Sequence, residues 1–358
     1  MTRNPSLLKN PEIDSWISFS GDGLISVRIG KVDIGQKIST AIARIVSEEL
    51  DLDLKRIVMV KPDTILSPNE GMTSGSNSME ESGNAIRLAA ATIREILVEL
   101  AARKLNASIS SLEVIDGTIS SPETNRSTTY WDLQNGRLFN KPINLKAKVK
   151  PGNLYKKSEH LFEESELMNI VTGSYKFIQD VNLKSALHAR PVRPPNINSQ
   201  LGQIDAEVEG RLTKKGISLI KNGSFLAVAG IDEYEVIKAA DTVKKSAVWN
   251  QLSTFEPTSI FEQLKNNKRI SLQVVDGVPT ERPMVSETTI DPTIQSRYSR
   301  PYVMHASIAP SAAIAKFEDN QLEIWTHSQG IYLLRASLAE LFHMPEDKIK
   351  IYHQINPG

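Results

Sequence analysis

Two polar stretches within the first eighty residues carry the side chains best suited to holding a ligand. Gly35-Gln36 stands between a run that alternates like a strand and a run spaced like a helix. Backbone N–H groups at such a helix start lack intrahelical partners, so an anionic group binds there without needing a lysine. The glutamine amide adds a donor and an acceptor. The second stretch is Thr73-Ser74-Gly75-Ser76-Asn77-Ser78, just ahead of a long helical pattern. Small side chains let a ligand approach the backbone closely, and hydroxyls with amides cradle a phosphate or a heterocycle. Simpler structures satisfy the same patterns: a plain turn at Gly-Gln, a flexible loop or helix cap at the Thr/Ser/Gly run.

Other chemistries are missing. The six histidines (His160, His188, His305, His327, His343 and His353) include no pair at the i,i+4 spacing of a helical metal site. No phosphate-binding glycine loop with lysine, no dinucleotide fingerprint and no Gly-x-Ser-x-Gly elbow occurs. Cysteine is absent, which removes disulfides, thiolate zinc sites, iron–sulfur ligation and a cysteine nucleophile from this chain. Lys+Arg and Asp+Glu both number 42, and a zero net charge argues against general affinity for nucleic acid or anionic lipid.

The elements that must position the two stretches can be read from periodicity. The 358 residues are enough for about two to three domains, and 40% hydrophobic with 23% charged residues is a globular composition. Ile25, Val27 and Ile29 alternate with polar neighbours as in a half-buried strand, and Gly30 to Gln36 is turn-rich. Ile38, Ala41, Ile42, Ile45 and Val46 fall at helical spacing, Arg56 to Val60 is a short strand, and Ile86 to Leu100 is one face of a long helix. Ser110 to Gly152 is turn-rich, with short strands; Lys141 to Lys150 alternates apolar and basic residues like an exposed edge strand. A new unit begins near Thr172, containing the strand Phe225 to Val228 and the helix Tyr234 to Val243. Asn250 to Pro283 is polar and reads as a linker or partner-wrapping segment. The last unit has strands near Ala312–Phe317, Leu322–Trp325 and Lys348–Tyr352 around a helix over Leu333–Leu341. No apolar run approaches the ~18 residues of a membrane span, and Phe225 to Ile231, among the longest, has seven. A cytoplasmic protein is the default expectation, a periplasmic or membrane-associated complex the alternative.

Four separated stretches, in order, resemble the large molybdopterin-binding subunit of the xanthine dehydrogenase and aldehyde oxidase family. Gly30 through Thr40, with Gly35-Gln36-Lys37, is similar to the cofactor loop that typically reads Gly-Gln-Gly, two residues, Thr. Gly71 to Ala85 resembles the second cofactor segment. Thr172-Gly173-Ser174-Tyr175 through Gln179-Asp180 to Leu187-His188-Ala189-Arg190 looks like the α/β hammerhead domain, while Met304–Ile308 and Thr326-His327-Ser328-Gln329-Gly330 resemble the first molybdopterin domain. The Gly-Gln loop precedes the hammerhead here, an order similar to the isoquinoline 1-oxidoreductase β-subunit and nicotinate dehydrogenase-like branch.

This resemblance implies an α+β fold: a second-domain-like molybdopterin-binding segment over 1–165, an α/β hammerhead inserted over 166–255, and the start of a first molybdopterin-binding domain over 256–358. It implies molybdenum bound by molybdopterin cytosine dinucleotide, a [2Fe–2S] ferredoxin-like partner subunit that takes the electrons, and hydroxylation of an electron-poor carbon in an aldehyde or N-heteroaromatic substrate. Gly35, Gln36 and Lys37 would contact the cofactor's phosphates and pterin, and Ser74, Gly75, Ser76, Asn77 and Ser78 would line its other side. Gln329 matches the family glutamine that hydrogen-bonds an oxygen ligand on molybdenum, and is the one catalytic assignment carried over.

There are two departures. Lys37 replaces the third loop glycine; either it costs ~1 kcal/mol or more if the position needs positive φ, or its charge pairs with a cofactor phosphate. Asn356-Pro357-Gly358 stands where the family continues into a glycine-rich turn, so a second polypeptide supplying the remaining molybdopterin domains is expected as partner. No glutamate matches the family's catalytic base, and none is named. The competing expectation is a non-catalytic truncated relative acting only in structure or assembly.

Overall fold

The computed structural model describes residues 4–156, 166–252, 260–268, 270, 272–275, 277–281 and 293–356. His160, the boundary positions Ser165, Phe255 and Glu256, Pro283 and the terminal Pro357-Gly358 lie outside the described residues. The chain forms two compact units, Met1–Val181 with Met304–Gly358, and Asn182–Val303. Leu167–Val181, part of the stretch read above as hammerhead, thus belongs to the first.

The first unit starts with a short helix, α1 (Pro5–Lys9), capped by the Asn4 side chain on the Ser6 and Leu7 amides. β1 (Ile17–Phe19), a strand not expected from the sequence, pairs antiparallel with β2 (Ile25–Val27). α2 (Ile38–Leu50) crosses over, and β3 (Ile57–Met59) lies parallel to β2, Ile25 opposite Ile57. The spacing predicts why α2 packs as it does: Ile38, Ile42, Val46 and Leu50 fall on one face and are buried. α3 (Asn84–Leu105) buries Ile86, Ala89, Ala90, Ile93 and Leu97 in the same core. A meander of β4 (Glu113–Ile115), β5 (Thr118–Ser121) and β6 (Arg126–Thr129) follows, then α4 (Tyr130–Gln134) behind a Thr129/Asp132 capping box. Burying each large aliphatic side chain contributes about 1.5–3 kcal/mol, so this cluster, which includes Trp16, Ile17 and Ile25, dominates the unit.

Lys141 to Lys150 is not a strand. Its polar groups are taken by α3 and the end of α2 instead. Arg94 donates to the Lys148 carbonyl and Arg87 to the Lys150 carbonyl, while the Lys150 amide donates to the buried carboxylate of Glu49. Both arginines also bind Glu49, at 3.0 and 2.7 Å. Backbone groups satisfied by charged side chains need no sheet edge. A short helix, α5 (Leu167–Val171), precedes a 3-10 turn at Ile178–Asp180.

In the second unit, β7 (His188–Pro191) and β8 (Ser199–Leu201) precede α6 (Ala206–Lys214), β9 (Ser218–Asn222), β10 (Phe225–Gly230), α7 (Glu233–Ser246) and β11 (Trp249–Gln251). β10 is the central strand of β7-β10-β9, antiparallel to both neighbours, and β8 pairs with β11. Val208, Leu212, Val236, Ala239 and Val243 from the two helices cover the buried Leu226 and Val228 of β10. Asp205 and Asp232 cap α6 and α7. The expected linker from Asn250 carries structure: α8 (Ile260–Asn266) and a hairpin of β12 (Gln273–Val275) and β13 (Val278–Thr280). Its high polarity reflects exposure of both elements rather than lack of regular backbone.

The chain then re-enters the first unit. β14 (Ala313–Glu318) pairs antiparallel with β15 (Gln321–Thr326), α9 (Ile331–Phe342) crosses over, and β16 (Ile349–His353) runs parallel to β15. This is the topology of β1-β2-α2-β3. The likeness extends to details: both helices end on a left-handed residue, Asp51 and His343, and both last strands follow a 3-10 turn, Leu54–Arg56 and Glu346–Lys348. Pro62 to Thr64, just past β3, lies along β16: the His353 amide donates to the Pro62 carbonyl at 2.8 Å, and the Thr64 amide to the Ile351 carbonyl at 3.0 Å. The two ββαβ modules are therefore joined side by side.

Candidate functional site

In parallel βαβ arrangements, loops leaving the carboxyl ends of strands meet at one edge, where ligands bind. The loop after β2 is Arg28 to Lys37, and it is held by unusually close backbone contact. A Cβ on Gly30 would lie 2.0 Å from the Pro68 carbonyl oxygen and 3.0 Å from the Glu70 amide nitrogen. Only glycine admits that approach. Glu70, 6% exposed, then reaches the loop directly. Its Oε2 accepts from the Gly30 and Lys31 amides at 2.6 and 3.3 Å, and its Oε1 accepts from the Ser82 hydroxyl at 2.7 Å. Lys31, 3% exposed, donates to the carbonyls of Glu70 and Met72 at 2.9 and 3.0 Å and pairs with Glu81 at 2.6 Å. Buried charges are tolerated only when so satisfied.

That lattice brings the predicted stretches together. The Val32 amide donates to Thr73 Oγ1 at 2.8 Å, and the Thr73 amide donates to the Gln329 carbonyl at 2.8 Å. The Gly-Gln loop, the serine-rich loop and the loop before α9 thus form one contiguous polar surface. Sequence reasoning named Lys31, Thr73 and Ser82 only as parts of runs and gave Glu70 and Glu81 no role. Glu70, a carboxylate in a stretch of small polar and turn residues, was the available signal.

The predicted site residues occupy distinct places on this surface. Gly35 has φ +102°, with no atom within 4 Å of where a Cβ would stand, so its backbone is open to a ligand. The Gln36 amide is largely committed to its own loop, against the expectation that it faces a ligand with both donor and acceptor: Oε1 accepts from the Ile34 amide at 2.6 Å and Nε2 donates to the Val32 carbonyl at 2.9 Å. Gln36 therefore shapes the loop and retains one N–H for a ligand. Lys37 takes the left-handed conformation at φ 56°, the position where the family glycine stands, and its ammonium lies 4.0 Å from Glu166. Ser74, Gly75, Ser76 and Asn77 are exposed, with Gly75 and Ser76 both left-handed at φ 65° and 60°. A one-turn π-helix, Met79–Gly83, leads from Ser78 into α3. Gln329 is exposed, its backbone tied to Thr73.

Tyr175 adds a side chain that the sequence did not flag for this site. Its hydroxyl is buried without a hydrogen-bond partner; burial first, then the negative charges of Glu166 and Asp33, push the phenol up to about 12. Asp33 accepts the Ser39 hydroxyl on one oxygen, while the other is buried and unpartnered. Among the described residues, no helix is long and apolar enough to cross a membrane.

Residues 2–165 match a molybdopterin cofactor-binding domain, and residues 285–355 match a second domain of the same description. A nicotinate dehydrogenase subunit from Pseudomonas putida is 30% identical over 355 residues, which is 96% of this chain and 29% of that protein. The membrane-bound aldehyde dehydrogenase (pyrroloquinoline-quinone) of Gluconacetobacter polyoxogenes is 25% identical over 93% of this chain and 44% of its own length. The isoquinoline 1-oxidoreductase β-subunit of Brevundimonas diminuta is 30% identical over 125 residues, 33% of this chain and 16% of that protein. The chain thus spans less than half the length of the curated relatives it matches.

Proposed function

The chain belongs to the molybdopterin-binding subunits of the xanthine oxidase family, and on that premise we propose that the edge formed by its three polar loops grips the cofactor of a molybdenum hydroxylase. The observation that carries this reading is the pair of hydrogen bonds from Val32 to Thr73 and from Thr73 to Gln329, which hold the three loops on one surface. The residues suit such a group. Gly35 offers open backbone, Gly75 and Ser76 present consecutive left-handed amides with small side chains, and Ser74 and Gln329 are exposed polar groups. When bound, the molybdenum cofactor supplies the redox and oxygen-transfer chemistry. The chain's contribution would be binding and orientation: the Gln36-braced loop would hold phosphate and pterin, the serine-rich loop would line the other side, and the exposed Gln329 amide would offer a hydrogen bond toward the metal centre.

The finer parts of the reading are a cytosine dinucleotide form of the cofactor, an aldehyde or N-heteroaromatic substrate, electron transfer to a [2Fe–2S] partner subunit, and a cytoplasmic setting in keeping with the cysteine-free sequence. The domain layout proposed is a molybdopterin-binding segment over 1–165, a hammerhead over 166–255 and a further molybdopterin-binding segment from 256. The remaining molybdopterin-binding segments, on this or another polypeptide, complete the cleft. A purely structural relative is not favoured, because the similar proteins are dehydrogenase and oxidoreductase subunits. The test is Thr73→Val in the complex assembled with those segments. Molybdenum content is expected to fall about tenfold, as one buried inter-loop bond is worth ~1 kcal/mol and an orphaned amide adds more. Unchanged metal loading would overturn the assignment.

A further inference from the structure

The two ββαβ modules of the first unit correspond residue by residue, and one is covered where the other is open. Their helices end on the left-handed Asp51 and His343, and the stretches from those caps to Ile57 of β3 and Ile349 of β16 have equal length. Leu50 therefore corresponds to Phe342, and Glu49 to Leu341. Phe19 pairs with Ile25, which pairs with Ile57. Phe317 likewise pairs with Leu322, which pairs with Ile349, so Phe317 corresponds to Phe19. In the first module α3 seals these positions. Glu49 is fully buried and bound by Arg87 and Arg94 of α3. Ile86, Ile93 and Leu97 of α3 share one core with Phe19, Ile42, Val46 and Leu50, and Phe19 also meets the rings of Tyr130, Trp131 and Phe139.

In the second module, among the described residues, no helix lies against α9 as α3 lies against α2. The corresponding side chains are apolar and open: Phe317 is 64% exposed, Leu341 62% and Phe342 53%. Ala313 and Ala315, on the same face of β14 as Phe317, are exposed too. Leu334 and Leu338 stand half-buried on the α9 flank that ends in Leu341, at i, i+4 and i+7. The other flank of α9 is already taken by the first module, where Tyr332 donates to the Ser67 carbonyl and Arg335 to the Thr64 carbonyl at 3.1 Å. A contiguous open groove of this kind marks an interaction surface.

We propose that the groove between α9 and the exposed face of β14 seats an amphipathic helix equivalent to α3, supplied by the molybdopterin-binding segments that complete the cleft. The source of that helix rests on the functional reading above; the seat itself rests on the comparison of the two modules. α3 shows the chemistry that fits. It brings small residues, Ala85, Ala89 and Ala90, into the core beside Ile86 and Ile93, which lets helix and sheet approach closely. Where α3 sets Arg87 and Arg94 against Glu49, the docked helix carries apolar side chains, because Leu341 offers no charge to pair with. The relatives matched over nearly all of this chain are more than twice as long as the part that it spans, which leaves residues enough for such a helix.

The test is co-expression of the full chain with a tagged polypeptide carrying those segments, in medium without molybdate. Leaving out the metal separates this result from the metal-loading test, which decides the cofactor reading. The parent chain is expected to co-purify with the tag, with slower amide hydrogen exchange in α9 and β14 than in the chain alone. Leu341→Asp and Phe317→Asp are each expected to lower the co-purified amount about tenfold or more. Leu341→Met, which keeps the apolar surface, is expected to retain it. Both positions are exposed, so the urea midpoint of the chain alone is expected to stay where it is in all three variants. Failure of the parent to co-purify, or co-purification undiminished in both aspartate variants, overturns the seat. So does a dimer of the chain alone, seen by light scattering and lost in those variants, since the groove would then hold a second copy.

Discussion

Gly30→Ala puts the tightest contact in the molecule to the test. Gly30 is not in the left-handed region, so alanine is conformationally allowed there and the penalty is steric. The new Cβ would sit 2.0 Å from the Pro68 carbonyl and 3.0 Å from the Glu70 amide, both backbone atoms. Relief needs a shift of ~1 Å between the loop and the Pro68–Glu70 segment, an overpacking cost of about 1–3 kcal/mol. That shift also draws the Glu70 carboxylate off the Gly30 and Lys31 amides, charge-assisted bonds worth ~1.5–3 kcal/mol apiece when intact. A net loss of about 3–5 kcal/mol follows, a large share of the ~5–15 kcal/mol that holds a typical domain. Gly35→Ala is the control: at φ +102° with no neighbour within 4 Å, it carries only backbone strain, about 1–2 kcal/mol. Urea denaturation followed by tryptophan fluorescence suits this comparison, because Trp16 is fully buried in the first unit's core. If Gly30→Ala unfolds within ~0.5 kcal/mol of the parent, or is milder than Gly35→Ala, the two loops are not held by backbone contact and the reasoning fails.

Other consequences can be measured in the same way. Glu70→Gln keeps the shape but removes the charge that binds two amides and Ser82, and is expected to cost about 2–4 kcal/mol; an unchanged urea midpoint would contradict the buried lattice. Lys37→Gly relieves a left-handed lysine at φ 56° and is expected to stabilise by about 0.5–1 kcal/mol; destabilisation would mean that the lysine's contacts outweigh the strain. His353, held at about 4 against an ordinary 6.5, takes up a proton more readily when unfolded. Its contribution is therefore full above pH 6.5 and is lost as pH falls toward 4, by up to about 3 kcal/mol. His353→Gln is expected to flatten stability between those pH values relative to the parent, and parallel profiles would refute the burial argument.

What could be read from the linear chain was whatever repeats locally. The alternation at Ile25 and Val27, the helical spacing of Ile38, Ile42 and Val46, and the long apolar face from Ile86 to Leu97 each reflect one element burying one face, and all three elements are present. The Gly-Gln and serine-rich runs were visible because turns and close ligand approach demand those residue types, and the domain matches agree with the family they suggested. Local pattern misled where distant charges took over the backbone, as Arg87, Arg94 and Glu49 do for Lys141 to Lys150. Only the tertiary structure decided that Gly30 abuts Pro68, that Gln36 spends its amide on its own loop, that Thr73 bridges to Gln329 some 250 residues away, and that His353 Nε2 is buried without a partner. The reason is physical: periodicity reports which face of an element avoids water, whereas a binding edge is made by carboxyl-end loops of strands far apart in sequence, and their meeting depends on how the two modules pack.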